Sequence, residues 1–229
     1  MSVRKKMKQN TSDKLEPSRL QQAVEAVAIS PEDAAKLVDG YRRTFRMKFN
    51  REPESLEDKR RLAKRIIGRY ATVAAGVGAA TAVPGVIPGI GTVVSLLGGG
   101  AADAAITIKM QVDMCLCLVE LFEAELSGED KKHLAFVLAL GGSLEQLASQ
   151  GGKQAVQRIA QKLVYQYLKG PLLVTIKQLF KKLSITFTQK AAAKVLPAGI
   201  GVAFSGSTNY VLTIVVGNVA VAVLAKDVK

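Results

Sequence analysis

The chain has 229 residues, 48% of them apolar and 5% aromatic, with no Trp, and it carries 32 basic against 19 acidic side chains. That apolar share excludes a disordered chain, and the length suits one core in one domain, or two at most. Ala, Val, Leu and Gly dominate, a palette for closely packed helices and not for a β-sandwich, so an all-α protein is expected.

Charge is spread unevenly. Eighteen basic and ten acidic side chains precede Ala71, so the front of the chain is the part that would draw an anionic surface. Residues 1–17 read as a basic flexible tail holding Arg4, Lys5, Lys6 and Lys8. They contain no apolar centre, so no secretory signal is expected. Residues 18–60 form an N-terminal helical extension, and residues 61–229 form the main helical domain. Within the extension, Ser30-Pro31-Glu32-Asp33 supplies an N-cap, a proline at the first helical position and acids at the positive end of the dipole. A helix running towards Phe49 follows. Ser55-Leu56-Glu57-Asp58 repeats the logic and opens a helix that carries Arg60, Arg61, Lys64, Arg65 and Arg69 to the border residue Tyr70.

Two long uncharged runs come next. Ala71 to Ala102 holds eight glycines and is broken by Pro84 and Pro88, and Val195 to Ala225 is likewise free of charge. Val86-Ile87-Pro88-Gly89-Ile90-Gly91 in the first resembles Val195-Leu196-Pro197-Ala198-Gly199-Ile200-Gly201 in the second. Gly89, Gly91, Gly98 and Gly201 are read as sites of close helix packing between the two runs. In the second run Gly201, Ser205, Asn209, Thr213 and Gly217 return every four residues, a narrow stripe that another backbone can approach.

A long helix is expected from about Gly91 to Leu126, ending at Ser127-Gly128-Glu129-Asp130, which caps its successor. Gly141-Gly142 and Gly151-Gly152 are expected to punctuate short helices. From Ala155, Val156, Ile159, Ala160, Leu163, Val164 and Tyr167 mark an amphipathic helix. Beyond Gly170-Pro171, Leu172, Ile176, Leu179, Phe180 and Leu183 mark another opposite Lys177, Lys181 and Lys182.

About 20 apolar residues cross a bilayer, and the arm between Tyr70 and Pro84 is too short. The first run therefore reads as a buried or re-entrant hairpin with both ends on one side, and the preceding cations place that side in the cytosol. Val195 to Ala225 is the better single span, although Ser205, Thr208, Asn209 and Thr213 also suit a buried helix. On the helix after the hairpin, Asp103 lies over Met110, Met114, Leu118 and Leu121, while Lys109, Asp113 and Glu120 gather on another face. Asp103 and Asn209 are thus expected as buried polar groups, with Asp103 facing inward.

The apolar hairpin leading to Gly98-Gly99-Gly100-Ala101-Ala102-Asp103, the helix closing at Glu125 to Asp130, and the segment with Lys194-Val195-Leu196-Pro197, Gly199 to Gly201, Asn209 and Ala220 together resemble the EcsC family. The resemblance spans about residues 63–226 and rests largely on small residues. It implies a bacterial helical protein, named for a gene beside an ABC transporter, whose molecular activity is not established. It extends to the hydrophobic domains attached to some bacterial GTPases, but this chain lacks their nucleotide motifs.

No catalytic signature accompanies these features. The chain has no phosphate-binding Gly-x4-Gly-Lys-Ser/Thr loop, no Gly-x-Ser-x-Gly elbow and no complete dinucleotide loop at Gly89 to Val94. Cys115 and Cys117 diverge around a helix, which keeps them from pairing locally or chelating together and suits a reducing compartment. His133 is the only histidine and is expected to be solvated at a helix start. No zinc set can be assembled, and neither a cofactor nor a metal is expected. Few aromatics interleave with the cations, which disfavours nucleic acid as a partner.

The expected function is that of a non-enzymatic accessory or scaffold protein on the inner face of the cytoplasmic membrane. It would hold anionic lipid through Arg60, Arg61, Lys64, Arg65, Arg69 and Tyr70, with a membrane protein or a second copy as further partner. The alternatives are a membrane-inserting or pore-forming effector, and a lipid-directed enzyme using Asp103 or Asp113.

Overall fold

Three helices open with the same four-residue phrase, Ser-x-Glu-Asp, and in the computed structural model each serine caps its helix in the same way. Ser30, Ser55 and Ser127 accept the backbone N–H of Asp33, Asp58 and Asp130 on their Oγ atoms, each at 3.1 Å. Ser55 and Ser127 also donate from Oγ to the carboxylate of the same aspartate, at 2.7 and 2.6 Å. An orphan donor of the first turn is satisfied and a negative charge is fixed at the positive end of the dipole.

The structure describes residues 17–77, 99–122, 125–148, 171–193 and 206–225. Among them it contains seven α-helices and no strand: α1 Pro17–Val27, α2 Pro31–Phe49, α3 Leu56–Val77, α4 Gly99–Phe122, α5 Gly128–Ala148, α6 Leu172–Ala193 and α7 Gly206–Leu224. The protein is all-α, as composition suggests. Residues 1–16, the Pro84/Pro88 bend with Gly89, Gly91 and Gly98, the amphipathic stretch 155–169, and Gly201 with Ser205 lie outside the described residues.

Helix α4 is the axis of the fold. Each of its residues from Ala105 to Phe122 is buried, because α1, α2, α3, α5 and α7 all pack against it. Such a helix has no solvent side, so the face that gathers Lys109, Asp113 and Glu120 is enclosed as well. Lys109, Asp113 and Glu120 are as enclosed as Met110, Met114 and Leu118. Asp103 lies on α4 just beyond its first turn, and its side chain lies outside the described residues. The helix is described as far as Phe122, and Leu126 already belongs to the bend before α5.

Helix α7 makes its most extensive contact with α3, and it also packs on α4 and α5. Asn209, Thr213 and Gly217 all lie on its buried side. At Gly217 the approach is closest: a Cβ there would stand 2.6 Å from Ile67 Cγ1. At Gly217 the small-residue stripe thus faces α3, whose last turns, with Ala71 and Ala74 fully buried, belong to the first uncharged run. Among the described residues no helix is long and apolar enough to cross a membrane.

Gly141-Gly142 does not end a helix, contrary to the sequence expectation. Helix α5 runs through both glycines, and a Cβ on Gly142 would meet Val216 of α7, with Cγ2 at 3.4 Å and Cα at 3.5 Å. Packing of α7 against that glycine outweighs its weak helix propensity of about 1 kcal/mol. Helix α6 follows its predicted stripe, with Ile176, Leu179, Phe180 and Leu183 buried and Lys177, Lys181 and Lys182 exposed. It packs on α5, where Phe180 meets Phe136 at a ring separation of 6.0 Å, and on α1. Residues from α1 to α7 contribute to one continuous apolar cluster.

Candidate functional site

Helix α3 carries its cations on the side opposite the core. Leu62, Ala63, Ile66, Ile67 and Ala74 are buried, and Arg60, Arg61, Lys64, Arg65 and Arg69 are exposed. Helical spacing alone accounts for this division, because the apolar residues recur every three or four positions. Arg61 is partly engaged: its guanidinium lies 3.9 Å from Glu57 and sits over the Phe49 ring, 5.2 Å from the centroid. Arg60, Lys64, Arg65 and Arg69 have no ion pair or ring contact among the described residues. At the start of the helix, Arg51 grips Asp58 with two N–H···O bonds of 2.5 and 2.8 Å. That grip, with the Ser55 hydroxyl, lowers the Asp58 carboxyl to about 2.

Tyr70 stands apart from the five cations. It is half-buried, and its hydroxyl lies 3.7 Å from Cys117 Sγ. Burial pushes the phenol far above its ordinary range, and the proximity of Cys117, Asp113 and Tyr41 adds to the effect. Tyr70 and Arg69 line a cavity of about 240 Å³ between α2, α3 and α4. Its lining also includes the apolar Ile29, Leu37, Val73 and Met110 and the polar Tyr41, Lys109, Asp113 and Cys117.

The polar lining is built around an ion pair that sequence reasoning missed. Lys109 donates from Nζ to Asp113 Oδ2, one helical turn on, with both side chains nearly inaccessible to water. Asp113 Oδ1 accepts the backbone N–H of Ile29 at 3.0 Å, tying the α1–α2 connection to α4. Burial pushes the Asp113 carboxyl upward, against the opposing pull of Lys109 and the Ile29 N–H. The Tyr41 hydroxyl oxygen is buried without a hydrogen-bond partner among the described residues. Burial raises the Cys117 thiol to about 12, so at neutral pH it is a protonated wall and not a nucleophile.

A second buried pair lies further along α4. Lys131 of α5 donates to Glu120 at 2.7 Å. The i, i+4 spacing of Lys109 and Asp113 was visible in the sequence, but it reads equally as a solvated pair. Only the enclosure of α4 by five neighbours decides between the two.

Neither the family comparison nor the searches of curated proteins and solved structures produced a match. The site is therefore interpreted on its own chemistry. Cys115 and Cys117 are both buried and free. His133 is half-buried rather than solvated, with Nε2 3.9 Å from Glu129. Among the described residues no group of three His, Cys, Asp or Glu side chains could hold a metal ion. Asn209 is buried as expected, and neither its Oδ1 nor its Nδ2 has a partner among the described residues.

Proposed function

We propose that the protein is a non-enzymatic accessory protein that docks on an anionic membrane surface through the outer face of α3 and there scaffolds a partner. The observation that carries this reading is the set of exposed cations Arg60, Lys64, Arg65 and Arg69, which have no partner within the described protein. Near an anionic leaflet each is worth on the order of 1 kcal/mol. On the neighbouring helix Met47 is 75% exposed, one turn after the exposed Arg43, an apolar side chain suited to the interfacial layer. Tyr70 is turned towards the cavity and is not part of this surface. The proposed site of action is the cytoplasmic face of a bacterial membrane, in keeping with the EcsC resemblance.

Fractionation of the native protein among cytosol, salt-washed membrane and detergent extract tests the reading. Docking through exposed cations is screened by salt, so the protein should be released by a high-salt wash. Recovery only with detergent would point to insertion, and recovery wholly in the cytosol would reject membrane docking.

A further inference from the structure

The cavity beside Tyr70 has a surplus of hydrogen-bond donors. Lys109 Nζ carries three N–H groups, and the bond to Asp113 takes one of them. No described residue accepts the other two. The Tyr41 O–H is buried and likewise unclaimed, and the exposed Arg69 also lines the cavity. On the acceptor side, both Asp113 oxygens are already engaged, one by Lys109 and the other by Ile29. The Lys109 and Asp113 charges cancel, leaving the Arg69 charge uncompensated. The lining also includes Ile29, Leu37, Val73 and Met110, which offer nothing polar from their side chains.

An occupant matching this lining has an anionic, acceptor-rich head and a short apolar body. At about 240 Å³ the cavity lies just below the range of roughly 300 to 1,000 Å³ that holds drug-sized ligands. It suits a single short chain and is too small for a two-chain lipid. Buried donors without acceptors cost free energy, and an anionic head would remove that cost in one step.

We infer that this cavity is a binding site for a small single-chain anionic amphiphile, a carboxylate or phosphate monoester, held by Tyr41, Lys109 and Arg69. The inference goes beyond the membrane reading and does not depend on it: Arg69 borders both surfaces, but Tyr41 and Lys109 have no part in the outer face of α3.

Titration calorimetry of the full chain with octanoate and octyl phosphate, both monomeric, tests the site, with octanol and inorganic phosphate as comparisons. One saturable site for at least one of the two anions is expected, together with much weaker binding of octanol and of phosphate. Tyr41→Phe removes only a hydroxyl that has no partner, so the fold should be kept while affinity drops by roughly tenfold, the worth of one hydrogen bond to a charged group. Arg69→Gln should weaken binding several-fold, and Arg60→Gln, on the outer face of α3, should leave it unchanged. Competition by vesicles containing phosphatidic acid identifies the source of the head group. Displacement of octyl phosphate by the vesicles assigns the site to a membrane lipid's phosphate, and persistence assigns it to a free amphiphile. Absence of saturable binding by both anions would overturn the inference. So would parental affinity in both Tyr41→Phe and Arg69→Gln, or binding of octanol as tight as that of the anions. Vesicle docking can fail while octanoate still binds to the parent and not to Tyr41→Phe, so the two proposals fail separately.

Discussion

Helices α3 and α4 lie side by side and carry the same kinds of charged residue in opposite circumstances. On α3, Arg60, Lys64, Arg65 and Arg69 are exposed with no ion pair among the described residues, and Arg69 also borders the cavity. On α4, Lys109, Asp113 and Glu120 are buried, and each has one: Lys109 and Asp113 hold each other, and Glu120 holds Lys131. An exposed pair typically contributes about 0 to 1 kcal/mol, whereas breaking a buried one costs roughly 3 to 5 kcal/mol because a charge is left without water or counter-ion. The cations of α3 are therefore free to engage something outside the molecule. The charged groups of α4 are committed to holding it together.

The largest expected effect comes from breaking the α4 pair. Lys109→Met should destabilise the fold by about 3 to 5 kcal/mol in denaturant unfolding, and adding Asp113→Leu should restore part of the loss, less what the Ile29 N–H loses as its acceptor goes. A single substitution that costs less than about 1 kcal/mol would mean that the pair is hydrated in solution.

Packing of α3 on α7 gives the next effect. At Gly217 any side chain runs into Ile67, so Gly217→Leu should cost about 1 to 3 kcal/mol through overpacking. On the same α3, nothing lies within 4 Å of a Cβ built on Gly68, and Gly68→Ala should instead gain about 0.5 to 1 kcal/mol. Equal melting temperatures for these two variants would remove the close approach of α7 to α3.

A smaller effect, and one that depends on pH, belongs to the start of α3. The Asp58 carboxyl is lowered from 3.8 to about 2 by Arg51 and Ser55. Its folded value lies below its unfolded one, so the stabilisation is fully present above about 3.8 and disappears as pH falls through about 2. The difference in melting temperature between the parent and Asp58→Asn should be a few degrees at pH 6 and should close below pH 2. A difference that persists undiminished below pH 2 would assign the effect to something other than this charge.

Much of the fold was legible in the sequence because local chemistry decides it. The Ser-x-Glu-Asp phrases at Ser30, Ser55 and Ser127 mark helix starts through bonds made within four residues, and the α6 stripe needs only a 3.6-residue period. Gly141-Gly142 was misread because the partner that makes use of the missing side chain, Val216, lies more than seventy residues away. The cavity was hidden for the same reason. Tyr41, Tyr70 and Cys117 belong to three helices, and no spacing within any one of them shows that they meet. Exposed cations on α3 were legible because their phase opposes an apolar face. The enclosure of Lys109 and Asp113 was not, because a charged i, i+4 pair looks the same whether water or protein covers it.

The central claim, that the cations of α3 are spare and the charges of α4 are structural, is tested most directly by replacing Arg60, Arg61, Lys64, Arg65 and Arg69 together with Gln. Surface changes of this kind typically alter stability by no more than about 0.5 kcal/mol each, so the melting temperature should stay close to that of the parent. Co-sedimentation with anionic vesicles at low salt should be largely lost. A variant that pellets with the vesicles as the parent does, while melting normally, would contradict the account.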